Sequence, residues 1–219
     1  MGLCIFDRLK STSITIRNCC VMDASVYMRP NKPLYGVVKK RRRDTVVANV
    51  NEVDEPMYVD RSTECHTTPD DVAKRMVEYL NPFYGKVLEP SAGTGKLICA
   101  LLDSGVSPLD ITAVEKHCQL SVSLRENIVG NVEIHNMCFL EFAQKNKGVF
   151  SHILMNPPFK RCKQHINTAL SLLNDSDESS MVILVPDSYN HPLFEEVEKL
   201  PENTFALANV HTKIMVLNR

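Results

Sequence analysis

From Thr68 onward the apolar residues alternate between two periods. In "TPDDVAKRMVEYL", Val72, Met76 and Leu80 recur at i, i+4 and i+8, which places them on one face of a helix. Thr68 is a candidate N-cap, Pro69 fits the first turn, and Asp70 and Asp71 suit the positive end of the helix dipole. Short runs of strand character then follow: "KVLEP", "DITAVE", "NVEIHN", "FSHILMN" and "SMVILVP". Between them lie helical segments, "GKLICALLDSG", "HCQLSVSLREN", "FLEFAQKN" and "KQHINTALSLLND". The pattern predicts a further helix over "HPLFEEVEKL" and two closing strands, "TFALANV" and "TKIMVLN".

Strands alternating with helices of about ten residues imply right-handed crossovers and a mainly parallel α/β sheet. Seven strands are expected, the last two close enough in sequence to pair as an antiparallel hairpin at one edge. Ligands on such a sheet bind beyond the carboxyl ends of the strands, so the informative loops begin at Glu89, Glu115, Asn136, Asn156 and Pro186. Residues 1–67 lack a long helical period and read as an extension of short strands, "SITIRNCCVM" and "DTVVANV", around the turn-rich "RPNKPLYG". The expected division is therefore an N-terminal extension over 1–67 and one α/β domain over 68–219.

Composition changes little in this picture. With 44% hydrophobic and 23% charged residues, the 219-residue chain reads as an ordinary globular protein. No apolar run reaches the ~18 residues of a membrane span, the N-terminus lacks a secretory pattern, and Phe6 removes a myristoylation reading of Gly2. None of the eight cysteines forms a C-x-x-C pair, and Cys99 and Cys118 lie in apolar helical patterns. A reduced, cytoplasmic protein without a metal site is expected. Charge is uneven: residues 1–67 hold 11 Lys and Arg against 8 Asp and Glu, a net of +3, and the remainder carries −4 of the overall −1. Most of that excess is Lys39, Lys40, Arg41, Arg42 and Arg43, either a solvated loop or a patch contacting phosphates.

The loop "VLEPSAGTGKL" looks at first like a phosphate cradle, but its anchors are missing. Pro90 occupies the first glycine position of G-x-x-x-x-G-K-[ST], and Leu97 replaces the magnesium-binding hydroxyl. A dinucleotide fingerprint fails at Ile98. A short turn through Gly93 and Gly95 instead lets backbone approach a nucleoside or amino-acid moiety, and Glu89 can receive a cationic amine. Glu115, twenty residues after Gly95, ends the next strand where a carboxylate can accept ribose hydroxyls. A ribose-reading acid without a phosphate cradle points to S-adenosylmethionine. Further on, the strand "FSHILMN" runs directly into Asn156-Pro157-Pro158-Phe159. The prolines fix the backbone, Asn156 and the Pro157 carbonyl can accept two hydrogen bonds from an exocyclic amine, and Phe159 offers a face for a flipped base.

With "TTPDDVAKRMV", "VLEPSAGTGKL", "AVEKH" and "ILMNPPF" in this order, residues 66–219 resemble the amino-methyltransferases, and among them the N6-adenine DNA methyltransferases. The resemblance implies a Rossmann-like seven-stranded methyltransferase sheet and methyl transfer from S-adenosylmethionine to adenine N6 in DNA. It places Thr68, Glu89, Pro90, Ser91, Gly93 and Gly95 at the methionine end of the cofactor and Glu115 at the ribose. Asn156, Pro157, Pro158 and Phe159 become catalytic, with Asn156 also beside the cofactor. Cys138 stands where the family has an Asp that contacts the cofactor's adenine, a departure for which Asn136 is a candidate substitute. Lys160, Arg161 and Lys163 read either as a solvated helix start or, with the 39–43 run, as contacts to nucleic-acid phosphates. No separate target-recognition domain is evident, so a specificity partner is a further expectation. The alternatives are N6-adenine methylation of RNA, glutamine N5 methylation of a protein (against which Phe159 and the non-helical N-terminal segment count), and a non-catalytic subunit of methyltransferase fold.

Overall fold

A computed structural model describes residues 67–80, 84–202, 204–205 and 211–219. Seven strands form one sheet: β1 (Val87–Glu89), β2 (Ile111–Glu115), β3 (Glu133–Asn136), β4 (His152–Met155), β5 (Ser180–Pro186), β6 (Glu195–Lys199) and β7 (Thr212–Asn218). Their spatial order is β3-β2-β1-β4-β5-β7-β6, with the first five parallel and β7 antiparallel to both its neighbours. Five helices are described: α1 (Asp70–Glu78), α2 (Lys96–Asp103), α3 (Cys118–Asn127), α4 (Phe139–Phe142) and α5 (Cys162–Leu170). The strand order reverses between β1 and β4, so a crevice opens beyond their carboxyl ends.

Strand periodicity explains how both faces of the sheet are covered. Alternate residues of β4 and β5 point to opposite sides. Leu154, Val182 and Leu184 join one apolar cluster with Val72 and Met76 of α1 and Leu97 and Leu101 of α2. Ile153, Ile183 and Val185 join the other, with Phe139 and Phe142 of α4 and Ile166 of α5. Being buried on both faces, β5 reads as an unbroken apolar run in "SMVILVP". One polar side chain that enters this interior is paired within it. His152 is 1% exposed, and its Nδ1 lies 2.8 Å from Ser180 Oγ.

Three sequence expectations change here. "HPLFEEVEKL" supplies the edge strand β6, not a helix: Glu195 and Glu196 lie opposite Val216 and Met215, and a bulge precedes Glu198 and Lys199. Its Leu193–Val197–Leu200 spacing is helical, yet Leu193 is 58% exposed and Val197 36% and only Leu200 is buried, so the stripe does not form a buried face. Pairing with β7 overrides the local pattern, and the charged, bulged sequence suits a strand whose outer edge meets water. The hairpin therefore joins β6 to β7, and most of "TFALANV" lies outside the described residues. Thr68 does not cap α1, because Pro69 occupies that position without a side-chain cap. Cys118 is exposed at the start of α3 and does not enter the core. The expected short strands of residues 1–66 and the basic run at 39–43 lie outside the described residues. Among the described residues no helix is long and apolar enough to cross a membrane.

Burial holds the His152 pKa below that of a free histidine, so folding excludes its proton. This stabilisation is intact above the unfolded-state pKa of about 6.5 and is lost as pH falls through it toward the lower folded value. His152→Asn keeps a partner for Ser180 and removes the titration. Between about pH 7.5 and about pH 5.5 the urea midpoint of the parent protein should fall further than that of His152→Asn. Equal falls would show that His152 does not contribute.

Candidate active site

The loop after β1 is built by backbone hydrogen bonds that require its glycines. Gly93 has φ +53° and Gly95 φ +82°, conformations that L-residues with a Cβ rarely adopt. Ala92 N donates to Val114 O at 3.0 Å, and Gly95 N donates to Ala92 O at 2.8 Å, which folds the loop back onto β2 and starts α2. Lys96, the residue that suggested a phosphate cradle, is committed elsewhere. Its Nζ lies 2.8 Å from Asp70 Oδ1 in the first turn of α1.

Two acids end adjacent strands. Glu89 Oε1 accepts from Ser91 N at 3.1 Å, while its buried Oε2 has no hydrogen-bond partner among the described residues. Burial pushes the Glu89 carboxyl well above its ordinary range, opposed by the Ser91 N–H and reinforced by the negative charge of Glu115. Glu115 Oε2 accepts from Gly93 N at 2.7 Å and Oε1 from His117 N at 2.6 Å, so one carboxylate joins the loops after β1 and β2. Its pKa is also raised by burial, a shift reduced by those same N–H donors. A buried carboxylate with an open acceptor position, beside a second acid, favours a cationic group. The ammonium and sulfonium of S-adenosylmethionine fit that requirement.

The other side of the crevice is the turn after β4. Asn156 Nδ2 donates to Thr68 Oγ1 at 3.1 Å, connecting the segment just before α1 to the N-P-P-F segment 88 residues later. Pro157 is buried, and Pro158 leads into a single 3₁₀ turn over Phe159–Arg161, closed by Arg161 N donating to Pro158 O at 2.9 Å. Phe159 is only half-buried and does not belong to the core. Lys160, Arg161 and Lys163 are exposed around the start of α5.

The third wall follows β3. Cys138 is half-buried at the N-cap of α4, where its carbonyl accepts from Glu141 N and Phe142 N. Asn136 Nδ2 donates to the carbonyls of Glu115 at 2.9 Å and Lys116 at 3.1 Å, so its amide donors fix the spacing between β2 and β3. The structure thus brings Thr68, Glu89, Ser91, Gly93, Gly95, Glu115, Cys138 and Asn156 to one edge of the sheet. Sequence reasoning marked the loop that begins at Pro186, after β5, but assigned no site residue within it, although it shares that edge. Its signal was Lys213, the one charged residue in the strand "TKIMVLN".

Replacing Glu89 by Gln tests this electrostatic reading. An acid whose folded pKa is raised costs stability once pH exceeds its ordinary value of 4.5, and that cost fades as pH falls back through it. Glu89→Gln should therefore melt higher than the parent protein at about pH 8, with the gap closing toward pH 4.5. A lower melting temperature at pH 8 would mean that the carboxylate is satisfied in the fold.

Comparison with known proteins accords with this geometry. The family model described as methyltransferase small domain matches residues 60–183. No curated protein matches the chain by sequence. Among solved structures, the 23S rRNA methyltransferase ErmE is similar at TM-score 0.55 and 22% identity, over 68% of this chain and 67% of that one. TrmN from Thermus thermophilus is similar at TM-score 0.54 and 16% identity, over 68% of this chain and 48% of that one. A dimethyladenosine transferase from Plasmodium falciparum is similar at TM-score 0.52 and 14% identity, over 69% of this chain and 62% of that one. At these identities the likeness is one of fold, whereas the family model spans more than half of the chain. The chain belongs to the methyltransferase small domain family, whose methyl donor is S-adenosylmethionine.

Proposed function

We propose that this protein transfers a methyl group from S-adenosylmethionine to the exocyclic N6 amine of adenine in DNA. The observation that carries the reading is the N-P-P-F turn at the carboxyl end of β4, tied to Thr68 through Asn156. When bound, S-adenosylmethionine supplies an electrophilic methyl group. Glu89, Pro90, Ser91, Gly93 and Gly95 would hold its methionine end, Glu115 its ribose, and the Cys138 backbone region its adenine. The hydrogen bond to Thr68 divides the work of the Asn156 amide: Nδ2 donates to Thr68, which leaves acceptance to Oδ1. Oδ1 and the Pro157 carbonyl accept the two amine hydrogens and draw density onto the nitrogen lone pair. The amine is itself the nucleophile, so the protein contributes orientation and preorganised acceptors. Stacking of a flipped base on Phe159 is worth roughly 1–3 kcal/mol.

Lys160, Arg161 and Lys163 flank that turn and suit phosphate contacts to the flipped nucleotide, with the 39–43 run of the N-terminal extension adding further ones. A second reading, adenine in RNA, is favoured by the names of ErmE and the dimethyladenosine transferase, both of which share the fold. Asn156→Ala should lower methyl transfer by at least ~100-fold even at saturating S-adenosylmethionine. Full activity of that variant would refute the assignment. Tritium transfer to DNA, RNA and protein fractions side by side decides the acceptor. Replacing Lys39–Arg43 by alanines should also flatten the dependence of nucleic-acid affinity on salt, as read by titration at several ionic strengths.

A further inference from the structure

Lys213 lies in the strand "TKIMVLN" and is 2% exposed, an unusual place for a flexible cation. Its Nζ contacts Glu196 Oε2 at 2.9 Å and donates to Asn190 Oδ1 at 3.1 Å. The Glu196 contact stays within the β6–β7 hairpin. The Asn190 contact reaches a different element, the loop that leaves the carboxyl end of β5. Because β5 neighbours β4, this loop emerges beside the N-P-P-F turn. Asp187 N donates to His211 O and Tyr189 N to Pro186 O, both at 2.9 Å, which fixes the start of the loop. Tyr189 packs against the cluster that includes Cys162, the first residue of α5. The His191 ring stacks beside it at 6.5 Å with the planes 17° apart. Ser188 and Asn190 are themselves exposed, and the loop's first residue is also held from β6, where Lys199 Nζ lies 3.3 Å from Asp187 Oδ1.

We propose that Lys213 is a positioning residue: through Asn190 it clamps the loop after β5 against the start of α5. The clamped loop is then a fixed wall of the pocket that receives the target amine. This inference rests on the methyl-transfer reading above, and it adds a determinant on the acceptor side of the site. A buried amine suits the task, because on losing Asn190 it keeps only Glu196 and gains no water in exchange. The same contact made by an exposed lysine would compete with solvent.

Asn190→Ala removes the acceptor at an exposed position where folding is not at stake, and Asn190→Asp keeps one. Hydrogen exchange of residues 187–191 should accelerate in Asn190→Ala and in Lys213→Met, and stay near the parent rate in Asn190→Asp. In the same two clamp-breaking variants kcat/KM for the methyl acceptor should fall about tenfold, since small misplacements near reacting groups are costly. S-adenosylmethionine affinity should stay within about twofold, because that ligand binds across β1 and β2. Parent-like exchange and turnover in Asn190→Ala would overturn the clamp. So would equal losses in acceptor turnover and S-adenosylmethionine affinity, which mark a general loosening of the fold. If the parent protein transfers methyl groups to protein and not to nucleic acid, the proposed acceptor is wrong. The clamp is then judged by the exchange rates and by turnover on that acceptor.

Discussion

The site depends on one carboxylate that is buried yet satisfied. Glu115 accepts N–H groups from Gly93 and His117, residues from two loops on adjacent strands. Removing a carboxylate from water is costly, and the two donors at 2.7 and 2.6 Å offset that cost only if both loops keep their shape. The glycine turn after β1 is therefore held by an acid on β2. Gly93 has the positive φ that brings its N–H to that acid. A Cβ there would strain the turn and the carboxylate's partner together.

Around this link the fold assembles groups that are far apart in sequence. Thr68 precedes the first helix and Asn156 follows the fourth strand, yet they share a hydrogen bond. They meet because α1 packs on the sheet face supplied by Leu154 of β4 and Val182 and Leu184 of β5, which sets its start beside the end of β4. Each strand is short, three to five residues for β1 to β4, so its carboxyl end is reached quickly and the loops crowd together. Apolar clusters on both faces then hold the sheet rigid beneath the loops. Rigid support matters for a reaction in which the protein contributes mainly orientation.

Much of this was legible in the chain. The helical stripe of Val72 and Met76, the unbroken apolar run of β5 and the strand-end acids all read correctly, because each follows from local periodicity or from a residue type with few uses. "HPLFEEVEKL" misled because its apolar spacing is helical while its partner is β7, a contact that a single sequence does not display. Thr68 misled for a related reason. A threonine before a helix is usually a cap, but here its hydroxyl accepts from Asn156. Asn136 looked available to a ligand, yet its amide nitrogen is committed to two carbonyls of the loop after β2.

By itself the sequence determined the α/β alternation, the glycine turn and the presence of an N-P-P-F segment after a buried strand. These are local properties: side-chain period, φ preference and the backbone restriction of proline act over a few residues. Tertiary structure decided which polar groups face one another. It bound Lys96 to Asp70, seated Asn136 against the loop after β2 and buried Lys213 beneath Asn190. Such pairings depend on strand order and on which groups lose contact with water. Both are settled only when the whole sheet has formed, since desolvation is a property of the assembled fold and not of any segment within it.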